Sequence, residues 1–103
     1  MELAHSIDQI DDQVTVHLAG DLDPGIADEL YRLLLTVIAT PEAAIVEVDL
    51  QDVTLISLTA VGVLIAGRRA AAAAKRRFLV SRARGLVRQI LELTGVVRAS
   101  WFF

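Results

Sequence analysis

Residues 44–67, AIVEVDLQDVTLISLTAVGVLIAG, decide the fold. Ala44 to Leu50 is a short apolar run in which Val46 and Val48 flank Glu47, and it reads as a central strand. After Gln51-Asp52, Val53 to Ser57 reads as a loop. A helical pattern then runs from Leu58 or Thr59 to about Lys75, with Val61, Leu64, Ile65 and Ala72 on one stripe. Arg68, Arg69, Lys75 and Arg76 are expected at its end, where positive charge suits the helix dipole. The alanines of residues 70–74 are strong helix formers and extend the same element. A strand that leads straight into a helix is half of a βαβ crossover, and such crossovers make parallel sheets.

Upstream, Val14, Val16 and Leu18 alternate with Thr15 and His17, the period of a half-buried strand. Leu3 to Ile10 is a weaker strand, and Asp11-Asp12-Gln13 turns between the two, so a hairpin is expected. Gly20 to Gly25 reads as a loop. Ile26, Leu30, Leu33, Leu34, Val37 and Ile38 then follow at helical spacing. Asp23 before Pro24 is a helix start, because the carboxylate accepts from free backbone N–H groups and proline has none to leave unpaired. Thr40-Pro41 closes that helix. Downstream, Arg77 to Ser81 holds a minimal strand around Phe78-Leu79-Val80. Leu86, Val87, Ile90, Leu91 and Leu93 mark a third helix, with Gly95 placed to cap it. Arg98 to Phe103, ending in Trp101-Phe102-Phe103, reads as a last strand. The fold class is therefore α/β: one domain over residues 1–103, a mixed sheet with packed helices, in the order β-β-α-β-α-β-α-β.

The chain has 103 residues, 54% hydrophobic and 22% charged, a composition that excludes intrinsic disorder. The net charge of −3 hides a division. Of the 13 acids, 12 lie between Glu2 and Asp52; of the 10 bases, 9 lie between Arg68 and Arg98. Two unlike surfaces are expected, and a uniformly basic nucleic-acid binder is excluded. No cysteine is present, which rules out disulfides and thiolate chemistry and fits a cytoplasmic protein. The N-terminus lacks the basic and apolar regions of a signal peptide, and the apolar stretch from Val53 to Gly67 falls short of the ~20 residues of a membrane span, so no membrane contact is expected.

Catalytic chemistry has little to stand on. The two histidines, His5 and His17, lack ligand spacing, so no metal site is expected. None of the serines sits in a Gly-x-Ser-x-Gly turn, and there is no glycine-rich phosphate loop ending in lysine. The bases from Arg68 to Arg88 are interleaved with a single aromatic, Phe78, and read as a solvated rim or a face for an acidic protein rather than an RNA reader. No cofactor is expected, and the protein is read as a non-enzyme. The informative segment is Leu55 to Gly62, where a helix begins and free N–H groups gather. Ser57 there has two readings. As an N-cap it accepts from the N–H of Thr59 or Ala60, worth about 1 kcal/mol. As a functional position it is phosphorylated or touches a partner, with the dipole favouring the added charge.

Taken in order, these segments resemble a STAS domain, and within that superfamily the bacterial anti-sigma factor antagonists. The resemblance covers nearly the whole chain. Leu18-Ala19-Gly20-Asp21-Leu22-Asp23, with Ala27 and Leu30, resembles the family's Leu-x-Gly-Glu-Leu-Asp segment. Val46 to Leu50 with Val53 to Ile56 resembles the strand and loop before the family signature, Val61-Gly62-Val63-Leu64 the start of the central helix, and Leu93-Thr94-Gly95-Val96 the end of the last one. The signature itself departs. The family reads Asp-Ser-Ser/Thr-Gly-Leu-Gly, and this chain reads Ser57-Leu58-Thr59-Ala60-Val61-Gly62. The phosphoacceptor position is Leu58, which carries no hydroxyl, and the following hydroxyl is kept as Thr59.

In the family, an anti-sigma factor with serine/threonine kinase activity phosphorylates that serine, and the unphosphorylated antagonist binds the anti-sigma factor and frees the sigma factor. The resemblance implies a docking surface of Asp21, Asp23, Ser57, Leu58, Thr59, Ala60 and Val61. It leaves three outcomes: a permanent binder, a switch moved to Ser57 or Thr59, or a STAS module of another signalling assembly. Two further readings compete with anti-sigma binding. The unlike charges of the two halves suit a homo-oligomer, and a small-molecule or nucleotide site would show in a thermal-shift screen.

Overall fold

The computed structural model describes residues 2–96. The last expected strand, Arg98 to Phe103, lies outside the described residues. In chain order the elements are β1 (Ala4–Ile10), β2 (Gln13–Leu22), a single 3-10 turn (Pro24–Ile26), α1 (Ala27–Ile38), β3 (Ile45–Ile56), α2 (Leu58–Ala73), β4 (Arg77–Ser81) and α3 (Gly85–Leu93). The sheet has the order β1-β2-β3-β4. β1 and β2 form the expected antiparallel hairpin, closing where Ile10 pairs with Gln13. The two-residue turn needs a positive φ, and Asp11 supplies it at 55°. The β2–β3 and β3–β4 pairs are parallel, as the crossovers dictate.

The alternation in β2 and β3 separates the two faces of the sheet. Val14, Val16, Leu18, Val46, Val48, Leu50, Phe78 and Val80 are buried and form one core with the inner faces of the helices. Those inner faces are Leu30, Leu34, Val37 and Ile38 on α1, Ala60, Val61, Leu64 and Ala71 on α2, and Val87 and Leu91 on α3. The opposite face carries Gln13, Thr15, His17, Glu47, Asp49, Leu79 and Ser81. No described element packs over it.

Three local expectations are corrected. Val53 to Ile56 is not a loop, nor is Gly20 to Leu22; of the expected second loop only Ser57 stands outside the strand. β2 and β3 continue as paired strands through Leu22 and Ile56, beyond two register shifts between His17 and Ala19 and between Gly20 and Asp21. The extra residues lie on β3, and Gly20 takes φ 87°, so the period-two pattern breaks while the ladder goes on. In α2, Ala71 rather than Ala72 faces the core. The last turn of that helix carries no base, because it ends at Ala73 and Lys75 leaves it with φ 62°. Arg76 instead reaches back, its guanidinium donating to the carbonyl of Ala43.

Asp23 starts the first helical segment as expected, but through the 3-10 turn: its Oδ1 accepts from the Gly25 N–H at 2.8 Å, with Pro24 in first place. The Glu29 carboxylate on α1 accepts the Leu3 N–H at 2.9 Å and ties the N-terminal segment to the helix layer.

Candidate functional site

The late pairing of β2 with β3 builds one corner of the molecule. Asp21 lies beside Leu55 and Leu22 beside Ile56, and the Ser57 N–H donates to the Leu22 carbonyl at 2.9 Å. Chain direction then reverses into α2. Ser57 is extended, and its Oγ accepts from the Ala60 N–H at 3.1 Å. The N-cap reading is therefore realised, with Ala60 as the donor.

Asp21, Asp23, Ser57, Leu58 and Thr59 thus come together at one end of the sheet. Asp21, Leu58 and Thr59 are exposed, and Asp23 and Ser57 are half-buried. Ala60 and Val61 do not reach the surface: both are buried and belong to the core. The corner also exposes a residue that the sequence reading did not select. Leu55 is 43% exposed and Leu58 71%, two large apolar side chains at the junction of β3 and α2. Leu55 opens the informative segment but is not among the implied docking residues; the pairing with Asp21 places it at the corner.

A second cluster lies on the uncovered sheet face. His17 Nδ1 is 2.7 Å from Asp49 Oδ2, and its Nε2 is 2.9 Å from Asp8 Oδ2. The Arg82 guanidinium holds both oxygens of Asp49, and the Gln51 N–H donates to Asp49 Oδ1 at 2.9 Å. Next to it, Glu47 accepts from Gln13 Nε2 at 2.7 Å and from the Ser81 hydroxyl at 2.5 Å. One hydrogen-bonded band therefore crosses from β1 to the end of β4. Asp49 is 3% exposed, and burial works to raise its pKa. The bonds from Arg82, the Gln51 N–H and His17 outweigh that and hold it down to about 2. The alternation of His17 with Val16 and Leu18, and of Asp49 with Val48 and Leu50, already assigns both to the polar face of their strands. Their register is invisible in the sequence.

The His17 pKa is raised above 6.5, first by the hydrogen bond to Asp49 and then, against some desolvation, by the one to Asp8. A raised folded-state pKa stabilises the protein below the unfolded value, and that stabilisation is lost as pH rises through the folded one. Stability against urea is therefore expected to fall as pH rises above 6.5 and through the raised His17 value in the natural chain. A His17→Gln chain, which keeps hydrogen-bonding capacity without titrating, is expected to lack this slope. An equal slope in both chains would place its origin elsewhere.

These observations set the comparisons in place. Residues 5–98 match the family model described as Mlab, STAS domain. The chain belongs to the STAS domain family. A search of the curated proteins gives no match. Among solved structures, an anti-sigma factor antagonist from Mycobacterium paratuberculosis superposes with a TM-score of 0.83 at 23% identity, over 99% of this chain and 86% of that one. A STAS domain protein from Planctomyces limnophilus gives 0.81 at 11% identity, over 96% and 87%. The anti-sigma factor antagonist SpoIIAA in its unphosphorylated form gives 0.72 at 15% identity, over 97% and 87%, and the same Bacillus protein has also been solved in the phosphorylated form. At these identities the likeness concerns the fold, and it agrees with the α/β class, the mixed sheet and the element order through α3. Among the described residues, no helix of this STAS domain is long and apolar enough to cross a membrane.

Proposed function

We propose that this STAS domain is an anti-sigma factor antagonist-like regulator that binds an anti-sigma factor, in the cytoplasm, and so frees a sigma factor, without catalysis of its own and without the usual serine switch. The carrying observation is Leu58. The resemblance aligns it with the family's phosphoacceptor; it sits at the N-terminus of α2 and is 71% exposed. An apolar side chain held there offers a partner area to bury, worth about 1.5–3 kcal/mol if covered fully. It offers a kinase no oxygen. Leu55 extends the apolar area, and Asp21 borders it with charge. Thr59, also exposed, is the nearest hydroxyl left to a kinase, whereas the Ser57 hydroxyl is engaged in capping the helix.

Titration calorimetry with candidate anti-sigma factors tests the reading. The natural chain is expected to bind one of them, and Leu58→Asp to weaken binding by roughly 10–100-fold, the loss of that buried area. Mass spectrometry after incubation with the anti-sigma kinase and ATP is expected to show no added phosphate. A phosphate removed by Thr59→Ala or Ser57→Ala would mean a relocated switch. The family description itself, which names Mlab rather than an antagonist, favours one second reading: a STAS module of another assembly. Failure of every anti-sigma factor, together with capture of a different complex that Leu58→Asp abolishes, would establish that reading instead.

A further inference from the structure

We infer that the uncovered face of the sheet pairs with the same face of a second copy of this chain. The face divides by charge across the strands. On the β1–β2 side, Asp8, Ile10, Asp11, Asp12, Gln13 and Thr15 line a cleft of about 270 Å³. Asp11 and Asp12 are exposed, and their carboxylates have no hydrogen-bond or ion-pair partner among the described residues. On the β4 side stands Arg77, exposed and likewise without a side-chain partner among them, and beyond the strand's end is Arg82, whose side chain is 55% exposed.

Strand register turns this division into self-complementarity. Ile10 pairs with Gln13, Gln13 with Ile45, and Ile45 with Arg77, so Arg77 stands level with the hairpin end that carries the acidic cleft. A two-fold axis parallel to the strands, midway between two stacked faces, exchanges β1 with β4 and β2 with β3 while keeping each level. It sets Arg77 of each copy over the acidic cleft of the other, and by symmetry the contact is made twice. Aligned sheets stack about 10 Å apart, a gap that arginine side chains and the half-exposed Ile45 and Leu79 can fill. Four strands about 4.8 Å apart, over the 7 residues of β1, present a face of roughly 19 by 23 Å. That is a small interface of the transient, salt-sensitive kind. A second copy is the occupant the face fits best, because only this chain is bound to carry the matching opposite charges at matching levels. The corner at Leu58 stays free in this arrangement, so the inference stands apart from the proposed function.

Sedimentation velocity of the full chain tests it. A mass of two chains is expected at about 20 mM salt and of one chain at about 500 mM, where the screening length falls to a few ångströms. Arg77→Asp and Asp12→Arg are each expected to weaken association at least about tenfold, since each reversal acts at two symmetric contacts. The doubly substituted chain, with both charges exchanged, is expected to recover it. Leu58→Asp is expected to leave the mass unchanged. A single-chain mass at low salt and high concentration would overturn the inference. So would a dimer indifferent to Arg77→Asp, or one abolished by Leu58→Asp, which would move the contact to the corner.

Discussion

An Asp49→Ala chain is expected to lose about 2–3 kcal/mol of stability at neutral pH, read as a lower urea midpoint. The carboxylate is 3% exposed and fully engaged by Arg82, His17 and the Gln51 N–H. Its removal leaves the Gln51 N–H and His17 Nδ1 without their partner, while His17 Nε2 keeps Asp8, and Arg82 returns to solvent from a loop in which it holds φ 58°. That conformation is uncommon for a residue with a Cβ, so losing its anchor frees the turn between β4 and α3. The acid limb gives an independent reading. The Asp49 pKa is lowered from 3.8 to about 2, so its contribution is complete above the unfolded value and disappears as pH falls toward about 2. The shift corresponds to about 2 kcal/mol. Natural chain and variant are therefore expected to converge in stability in acid. A constant gap between them down to about pH 2 would show that lost packing, and not the charged pair, makes the difference.

A Gly67→Val chain is expected to be destabilised by about 2–3 kcal/mol, with Gly67→Ala close to neutral. Gly67 is buried on α2, where that helix meets α1 and β4. A Cβ there would stand 2.9 Å from the Leu34 Cδ1 and 3.4 Å from two carbons of the Phe78 ring. Alanine asks only that the end of Leu34 move, and it gains roughly 1 kcal/mol of helix propensity in return. Valine adds two γ-carbons to a site walled by Leu34, itself 0% exposed, and by Phe78. β-Branching leaves it little rotamer freedom to avoid them. Thermal unfolding of the two variants separates close packing from a helix-propensity effect. A valine chain as stable as the alanine one would show that α1 and α2 can move apart at little cost.

The two substitutions also divide what is readable from the chain. Strand and helix identities followed from local patterns: the alternation around Val16 and Val48, the helical stripes from Ile26 and from Val61, and Asp23-Pro24 as a start. Legibility ended where pairing replaced periodicity. Gly20 to Gly25 and Val53 to Ser57 read as loops because the register shifts break the alternation, yet Gly20–Leu22 and Val53–Ile56 complete each other's ladder. The difference mattered for the site, since it left Leu55 outside the implied docking surface. The corner at Ser57 was legible because an N-cap is a local event and the ordered family segments surround it. The depth of Ala60 and Val61 was not, because both lie within the apolar stripe that α2 turns toward the sheet.

The sequence by itself determined the α/β order, the hairpin and the parallel crossovers, because each depends on neighbours a few positions apart. Only the tertiary structure decided which charges meet. Asp8, His17, Asp49 and Arg82 span 75 residues' numbering and share no motif, yet the strand register sets them in one band. Register is chosen by the burial of the opposite face, where Val16, Val48 and Val80 stand level in the core. The polar partners are fixed as its consequence, since on a sheet every residue on one face is placed by the packing of the other.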